Sequence, residues 1–264
     1  MPAPRVLLLR APGTNCEAET AYAFQLAGAE ATTWHVNRLF EQPHLLTNYQ
    51  ILCLPGGFSY GDDIAAGQIF GSQLRQRLTD ALAEFREQNK LVLGICNGFQ
   101  VLIRSGLFEP QGSNAAQTVE PTATLTWNDS GRYEDRWVWL KNTAPESPFL
   151  RGIERLYLPV AHAEGRFVAR DESTLAKLAE QGQLVLRYDH AEPGHDGLVP
   201  YPANPNGSQA NVAALSDVTG RILGLMPHPE RHLEHWHHPH WTRLPARPHG
   251  DGLRIFQNAV GWFE

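Results

Sequence analysis

The chain has 264 residues, 42% of them hydrophobic and 19% charged, and a formal net charge of −6. This is the balance of an ordinary soluble globular protein, and with no basic run or aromatic-basic interleaving it argues against a nucleic-acid partner. No stretch approaches the ~20 apolar residues of a membrane span, so no membrane partner is expected. The opening MPAPRVLLLRAPG has too short an apolar core for a signal peptide. Three widely spaced cysteines, an odd count, do not read as a disulfide framework, and a reducing cytoplasmic location is expected.

In chain order, RVLLL (5–9) reads as a short strand. It is followed by the turn APGTNCEAE and a helix over EAETAYAFQLAGAE, with Ala21, Phe24 and Ala27 on one side and Gly28 as the stop. ATTWHVN (31–37) reads as a second strand, and YQILCLPGGF (49–58) as a third that ends on Pro-Gly-Gly. GSQLRQRLTDALAEFREQNK (71–90) carries the spacing of one amphipathic helix. LVLGI (91–95) is a fourth strand and NGFQVLIRSG (97–106) the helix after it. This alternation implies an α/β fold with an open, mostly parallel sheet flanked by helices. The apolar runs lack alternation, as strands buried on both faces do.

The second half changes character. ATLTWN, RWVWLKN, LYLPVAH, LVLRYD, NVAALSD and ILGLM read as additional antiparallel strands, and GLRIFQNAVGWF as a closing helix. There is no internal repeat and no linker rich in Pro, Gly and Ser, so residues 1–264 are expected to form one domain. WHHPHWTRLPARPHGDG (236–252) reads as an irregular excursion.

The chemistry is expected at Cys96, in Gly94-Ile95-Cys96-Asn97-Gly98. In open α/β sheets reactive groups lie beyond the carboxyl ends of strands. A Gly-x-nucleophile-x-Gly corner lifts the side chain into the cleft and aims the next backbone N–H groups there. Those groups open a helix, whose positive end favours thiolate over a thiol of ordinary pKa of about 8.5. Cys53, inside ILCL, reads as buried and structural. Cys16, in the first loop, could line the same sheet edge, but nothing near it in sequence names a base.

Of the twelve histidines, His228 is placed differently, just past a strand end in LMPHPERH. Pro229 disfavours helical geometry at His228. In an extended segment Glu230 would face the same side and hold the imidazole by a hydrogen bond. Cys96, His228 and Glu230 then form nucleophile, base and orienting group. Gly56 and Gly57 follow a strand and leave N–H groups free, so the Gly57 and Asn97 amides are the expected oxyanion donors. Asp62 and Asp63 read as a helix cap and solvated surface rather than a metal site, and no resident metal is expected.

GICNGFQ, LPGGFSYGDD and MPHPER resemble the triad motifs of class I glutamine amidotransferases, whose sheet is flavodoxin-like. RAPGTNCEAE, SGRYEDRW, PVAHAEGRF, YPANPNGS and GLRIFQNAV resemble, within that class, the glutaminase subunits of phosphoribosylformylglycinamidine synthase, over nearly the whole chain. The resemblance implies that Cys96 attacks the side-chain amide of L-glutamine, that His228 moves the protons, and that Glu230 orients His228. Gly57 and Asn97 would hold the oxyanion. It places Gly56, Phe58, Gln100, His162 and Glu164 near the bound glutamine. Ala163 stands where the family pattern has glycine, which would narrow that loop. It also implies a purine-pathway role: ammonia passes to a separate synthetase subunit that holds ATP, magnesium and formylglycinamide ribonucleotide, with a small third subunit as a further partner. This chain carries no phosphate loop and no dinucleotide fingerprint, so no cofactor is expected here. Two alternatives use the same residues differently: a cysteine hydrolase of this fold serving another acceptor, and a metal-binding module built on His228, His232, His235, His237, His238 and His240.

Overall fold

The computed structural model describes residues 2–109, 121–194 and 197–264. The first half is a run of strand-helix units: β1 (Arg5–Arg10), α1 (Glu17–Leu26), β2 (Glu30–His35), α2 (Val36–Glu41), β3 (Ile51–Leu54), α3 (Gln68–Arg77), α4 (Thr79–Glu87), β4 (Leu91–Ile95) and α5 (Asn97–Ser105). The second half contains β5 (Ala123–Thr126), β6 (Glu134–Asn142), β7 (Arg155–His162), β8 (Arg166–Ala169), α6 (Glu172–Glu180), β9 (Leu186–Asp189), β10 (Val212–Ser216), β11 (Ile222–Leu225) and α7 (Leu253–Gly261).

Nine strands form one sheet in the order β2-β1-β3-β4-β11-β10-β9-β6-β7. The five from β2 to β11 are parallel, and the rest of the sheet is antiparallel. Every residue of β3, β4 and β11 is buried, the signature of strands covered on both faces. β7 alternates buried and half-buried residues, as a strand covered on one face does. The expected fold class is the one observed, although ILGLM, read among the antiparallel strands, is β11, which runs parallel to β4 and is antiparallel only to β10.

Three local expectations need correction. The helix read over 71–90 is two helices, because Leu78 leaves helical geometry (φ −127°, ψ 13°) to bury its side chain. ATLTWN does not join the main sheet; β5 pairs with β8 in a separate two-stranded ribbon. The β8–α6 unit was not read at all, although Asp171 caps α6 by accepting from Thr174 N at 2.7 Å.

The sheet does not stay flat. β7 is four strands from β11 in sheet order, yet Pro159 O accepts from His228 N at 2.8 Å, just past the end of β11. The antiparallel half therefore curls back over the carboxyl ends of the parallel strands. Pro159 sits on the edge strand, where its missing N–H costs no ladder bond.

Helix α5 starts unusually close to the sheet. A Cβ on Gly98 would land on the Leu54 carbonyl oxygen, and one on Gly94 would lie 2.6 Å from Gly98 O. No rotamer change relieves a clash with backbone. Gly98→Ala is expected to destabilise the fold by about 1–3 kcal/mol or more, the range for overpacking a tight core. Urea unfolding followed by far-ultraviolet circular dichroism would show it; wild-type stability would mean that α5 can back away from β3.

Candidate functional site

Four chain segments meet beyond the carboxyl ends of β1, β3, β4 and β11. Cys96 occupies the turn between β4 and α5 with φ 51° and ψ −107°. A non-glycine residue at positive φ costs on the order of 1–3 kcal/mol and persists only where its surroundings hold it. Here Cys96 N donates to Leu225 O at 2.8 Å, and Cys96 O accepts from Phe99 N and Gln100 N at 2.9 and 3.2 Å. The amides of Asn97 and Gly98, in the first turn of α5, have no intrahelical acceptor.

Gly57 lies in an isolated antiparallel bridge with Thr14. Phe58 N→Gly13 O (2.9 Å) and Asn15 N→Gly56 O (3.4 Å) make Gly57 and Thr14 the non-hydrogen-bonded pair of that bridge. The Gly57 N–H is thus left without a backbone acceptor among the described residues. Its φ of 138°, with Asn15 N only 2.7 Å from where a Cβ would be, requires glycine.

His228 is buried, with its Nδ1 2.6 Å from Glu230 Oε1. The pairing expected from sequence is present, but by another route: Pro229–Arg231 is a 3-10 turn, and only His228 itself (φ −103°, ψ 89°) is non-helical. Burial alone would lower the imidazole pKa. The Glu230 carboxylate, then the Cys96 and Cys16 thiols, outweigh it and hold the value well above 6.5. His228 Nε2 and Glu230 Oε2 are buried without a hydrogen-bond partner among the described residues.

Cys16 was not assigned a role from sequence, yet it belongs to this cluster. A Cβ on Gly56 would stand 3.0 Å from His228 Cε1, 3.1 Å from Cys16 Sγ and 3.5 Å from Cys96 Cβ, so three side chains converge over Gly56. Cys16 N donates to Gly56 O at 3.2 Å, which fixes the loop. Arg231 Nη2 lies 3.2 Å from Cys16 Sγ and 3.6 Å from Glu19 Oε1. Burial raises the Cys16 pKa, opposed by its contact with His228. Its imidazole and guanidinium partners, His228 and Arg231, are more than 200 residues away in the chain, so no local spacing could have signalled them.

The wall beside Cys96 is a relay of amides. Asn97 Nδ2 donates to Gln100 Oε1 (2.9 Å) and Asp62 Oδ1 (3.1 Å), Asn97 Oδ1 accepts from Ser59 N (3.1 Å), and Gln100 Nε2 donates to Glu164 O (2.6 Å). Glu164 Oε2 in turn accepts from Ala66 N at 3.2 Å. Gln100 and Glu164 therefore tie the 59–67 loop to the loop after β7. Asp62 is not the solvated cap read from sequence. Burial, with help from Glu164, raises its pKa to about 6, against hydrogen bonds from Gly67 N and Asn97 that pull it down.

His162 lies behind this wall, enclosed by Asn128 Oδ1 (3.1 Å), Asn206 Nδ2 (3.5 Å) and the bare face of Gly165. Burial and the nearby His228 charge lower its pKa to about 3, so it is neutral. The next residue, Ala163, accepts from Asn128 N at 2.8 Å. Phe58 and Tyr133 are both about half exposed (44% and 49%). The Tyr133 hydroxyl, which the sequence reading did not single out, is near enough to Cys96 and His228 to feel both; burial first, then Cys96, raises its pKa.

The histidine-rich segment does not assemble a centre of its own. His232 Nδ1 bonds Tyr157 O at 2.7 Å, His232 meets the Trp137 ring edge-on, and His238 lies tilted against the same ring. Among the described residues, the group of three or more ligand-type side chains close enough to share an ion is Cys16, His228 and Glu230. No helix among the described residues is long and apolar enough to cross a membrane.

Comparison with known proteins agrees with this geometry. Residues 3–263 match the CobB/CobQ-like glutamine amidotransferase domain family. The chain is 43% identical to phosphoribosylformylglycinamidine synthase subunit PurQ of Dehalococcoides mccartyi, over 98% of this chain and 97% of that one. It is 42% identical to the protein of the same name from Methanococcus maripaludis, with the same coverage. A chain in the structure of PurLQS from Thermotoga maritima superposes with a TM-score of 0.73 at 28% identity, covering 99% of this chain and 100% of that one.

Two electrostatic tests follow from the site. In Glu230→Gln the imidazole stays buried but loses its largest charge partner, so its pKa is expected to fall, read from the His228 ring protons by NMR; an unchanged titration would remove Glu230 as the cause. Because that pKa is raised on folding, the pair stabilises fully below the unfolded value of about 6.5, and its contribution is lost as pH rises through the folded value. Asp62 has the opposite sign. A carboxyl with a raised folded pKa costs stability once pH exceeds the unfolded value, so Asp62→Asn is expected to gain stability over wild type between pH 4 and the folded value of about 6, and to hold that gain above it. Equal stabilities at neutral pH in urea unfolding would mean that Asp62 ionises at no cost.

Proposed function

This chain belongs to the PurQ family of glutamine amidotransferases, and on that premise we propose that it hydrolyses L-glutamine to glutamate and ammonia and delivers the ammonia to a separate synthetase subunit. In this reading residues 1–264 act as one amidotransferase domain. The observation that carries it is the convergence over Gly56 of Cys96, held at a strained strand-helix corner, with a buried imidazole backed by Glu230.

His228 carries the proton of the Cys96–His228 pair, and Cys96 Sγ attacks the side-chain carbonyl carbon of glutamine. Negative charge develops on that oxygen, and the Gly57 and Asn97 N–H groups are the donors aimed at it. His228 then protonates the departing nitrogen, the C–N bond breaks, and ammonia leaves a glutamyl thioester on Cys96. Neutral again, His228 takes a proton from water, which attacks the thioester and releases glutamate with the thiol restored. The raised pKa of His228 suits the imidazolium half of this cycle, and Glu230 keeps the ring in one orientation.

Gly56 is bare so that substrate can pass close to the backbone. Phe58 and Tyr133 stand at the mouth. Gln100, His162 and Glu164 act as the supporting wall, since their polar groups are already engaged with neighbouring loops.

The named relatives are subunits of phosphoribosylformylglycinamidine synthase, and one solved neighbour is from a PurLQS assembly. The corresponding partner here is a synthetase that binds ATP, magnesium and formylglycinamide ribonucleotide, in the cytoplasm, with a small third subunit in the complex. The half-exposed aromatics at the mouth fit a cleft that the partner covers.

The test is glutamate formation by wild type and Cys96→Ala, with and without the synthetase, ATP and the ribonucleotide. Cys96→Ala is expected to lose at least about 10³-fold in kcat, as nucleophile removal does. Wild-type turnover is expected to rise in the complete mixture. Cys96-dependent turnover indifferent to the synthetase would keep the thiol chemistry and remove the purine partner.

A further inference from the structure

The two expected oxyanion donors belong to different segments. Gly57 follows β3 and Asn97 opens α5, so the spacing between their N–H groups depends on what ties those segments together. The Asn97 side chain does so: its Oδ1 accepts from Ser59 N at 3.1 Å, two residues past Gly57, and its Nδ2 donates to Asp62 Oδ1 at 3.1 Å. Asp62 holds the outer end of this clip. On its other side the Gly67 N–H also favours the carboxylate. Gly67 is itself pressed onto α5, since a Cβ there would lie 2.6 Å from Val101 N.

The loop is bent to bring this carboxylate in. Tyr60, Gly61 and Asp62 are consecutive residues with φ of 56°, 71° and 53°. Left-handed backbone at residues other than glycine persists only where the surroundings hold it. The carboxylate does not serve the stability of the fold. Burial opposes its ionisation, and so do the charged groups that face it, Glu164 from the β7–β8 connection and Asp63 beside it. Glu164 is held there by Ala66 N at 3.2 Å, and its charge also reaches Arg104 on α5. Among the described residues Asp62 forms no ion pair. An ionised Asp62 is thus a cost to the fold at neutral pH, and an uncharged residue of the same shape would remove it.

We infer that Asp62 is a positioning residue: its carboxylate fixes the Asn97 side chain and so sets the spacing of the Gly57 and Asn97 N–H groups around the developing oxyanion. The consequence for the rate rests on the proposed glutaminase reaction; the coupling of Asp62 to Asn97 does not. Ionised, Asp62 offers one acceptor oxygen to Asn97 and another to Gly67. Protonated, one of those oxygens becomes a hydroxyl donor and its contact weakens. Turnover is therefore expected to fall as pH drops through the Asp62 value of about 6.

The test is Asp62→Asn, assayed for glutamate formation with the synthetase, ATP and the ribonucleotide present. Its kcat is expected to fall about tenfold, less than the roughly 10²–10³ of deleting a donor, with KM for glutamine near wild type because the oxyanion forms only after binding. Wild-type kcat is expected to show an acid limb near pH 6 that Asp62→Asn lacks. Wild-type kcat in Asp62→Asn, or the same acid limb, would overturn the inference. Alkylation of Cys96 by iodoacetamide forms the C–S bond as iodide leaves and creates no oxyanion, so its rate is expected to be unchanged. A slowing equal to the loss in kcat would put the defect at the thiol and sink the proposal. The coupling is also read without turnover, from the Asn97 backbone amide by NMR. That amide is expected to shift with a midpoint near pH 6 in wild type and to stay flat in Asp62→Asn. A flat amide in wild type overturns the inference even where glutamine is hydrolysed. A titrating amide in a chain without Cys96-dependent turnover supports the coupling and removes the glutaminase reading alone.

Discussion

Everything at the site depends on how closely the start of α5 is pressed onto the ends of β3 and β4. The contact is backbone on backbone, with Gly98 against the Leu54 carbonyl and Gly94 against Gly98. Glycine at both positions removes the side chains that would hold the helix off. The turn left between them is too tight for ordinary geometry, and Cys96 takes the positive φ that results. Its backbone is held by Leu225 O on one side and by Phe99 and Gln100 N–H on the other, so the strain cannot relax without breaking β4–β11 pairing or the first turn of α5. Strain of this kind positions a side chain more firmly than packing alone would, because it leaves Cys96 no alternative backbone state.

The second requirement is a buried charge that the protein can tolerate. An imidazolium with no partner would be driven neutral by burial, as His162 is. His228 escapes because Glu230 is 2.6 Å away and two thiols lie near. Two histidines a short distance apart are thus set to opposite protonation by their partners: a carboxylate for one, and asparagine amides and a glycine face for the other. Holding His162 neutral spares the site a second positive charge. The curled sheet makes this possible, since β7 supplies both His162 and the Pro159 carbonyl that anchors His228 N.

The parallel half of the fold was legible because buried strands and their helices leave continuous apolar runs and periodic faces. The placement of the candidate residues was legible for a related reason: Cys96, His228 and Glu230 each sit within a few residues of a strand end marked by Gly or Pro. What the sequence hid was non-local. Leu78 broke a helix whose periodicity continues through it. β5 looks like a strand of the main sheet, and only tertiary packing pairs it with β8 in a separate ribbon. Cys16 has no base near it in sequence because its imidazole comes from the far end of the chain. Asp62 looked solvated because nothing in SYGDD announces that Asn97, Gly67 and Glu164 close around it.

The amide relay explains why the cleft can be both rigid and polar. Asn97 is the hinge of this arrangement: its backbone N–H, in the first turn of α5, has no intrahelical acceptor, while its side chain joins Ser59, Asp62 and Gln100. A side chain fixed by three bonds has met its ordering cost in folding, so the backbone around it is held before any ligand arrives. Gln100 extends the same logic to the loop after β7, through Glu164 O. The wall around Cys96 is therefore not a set of independent contacts to substrate. It is one hydrogen-bonded frame spanning the 59–67 loop, α5 and the β7–β8 connection, and any residue in it acts on the reaction by moving the others.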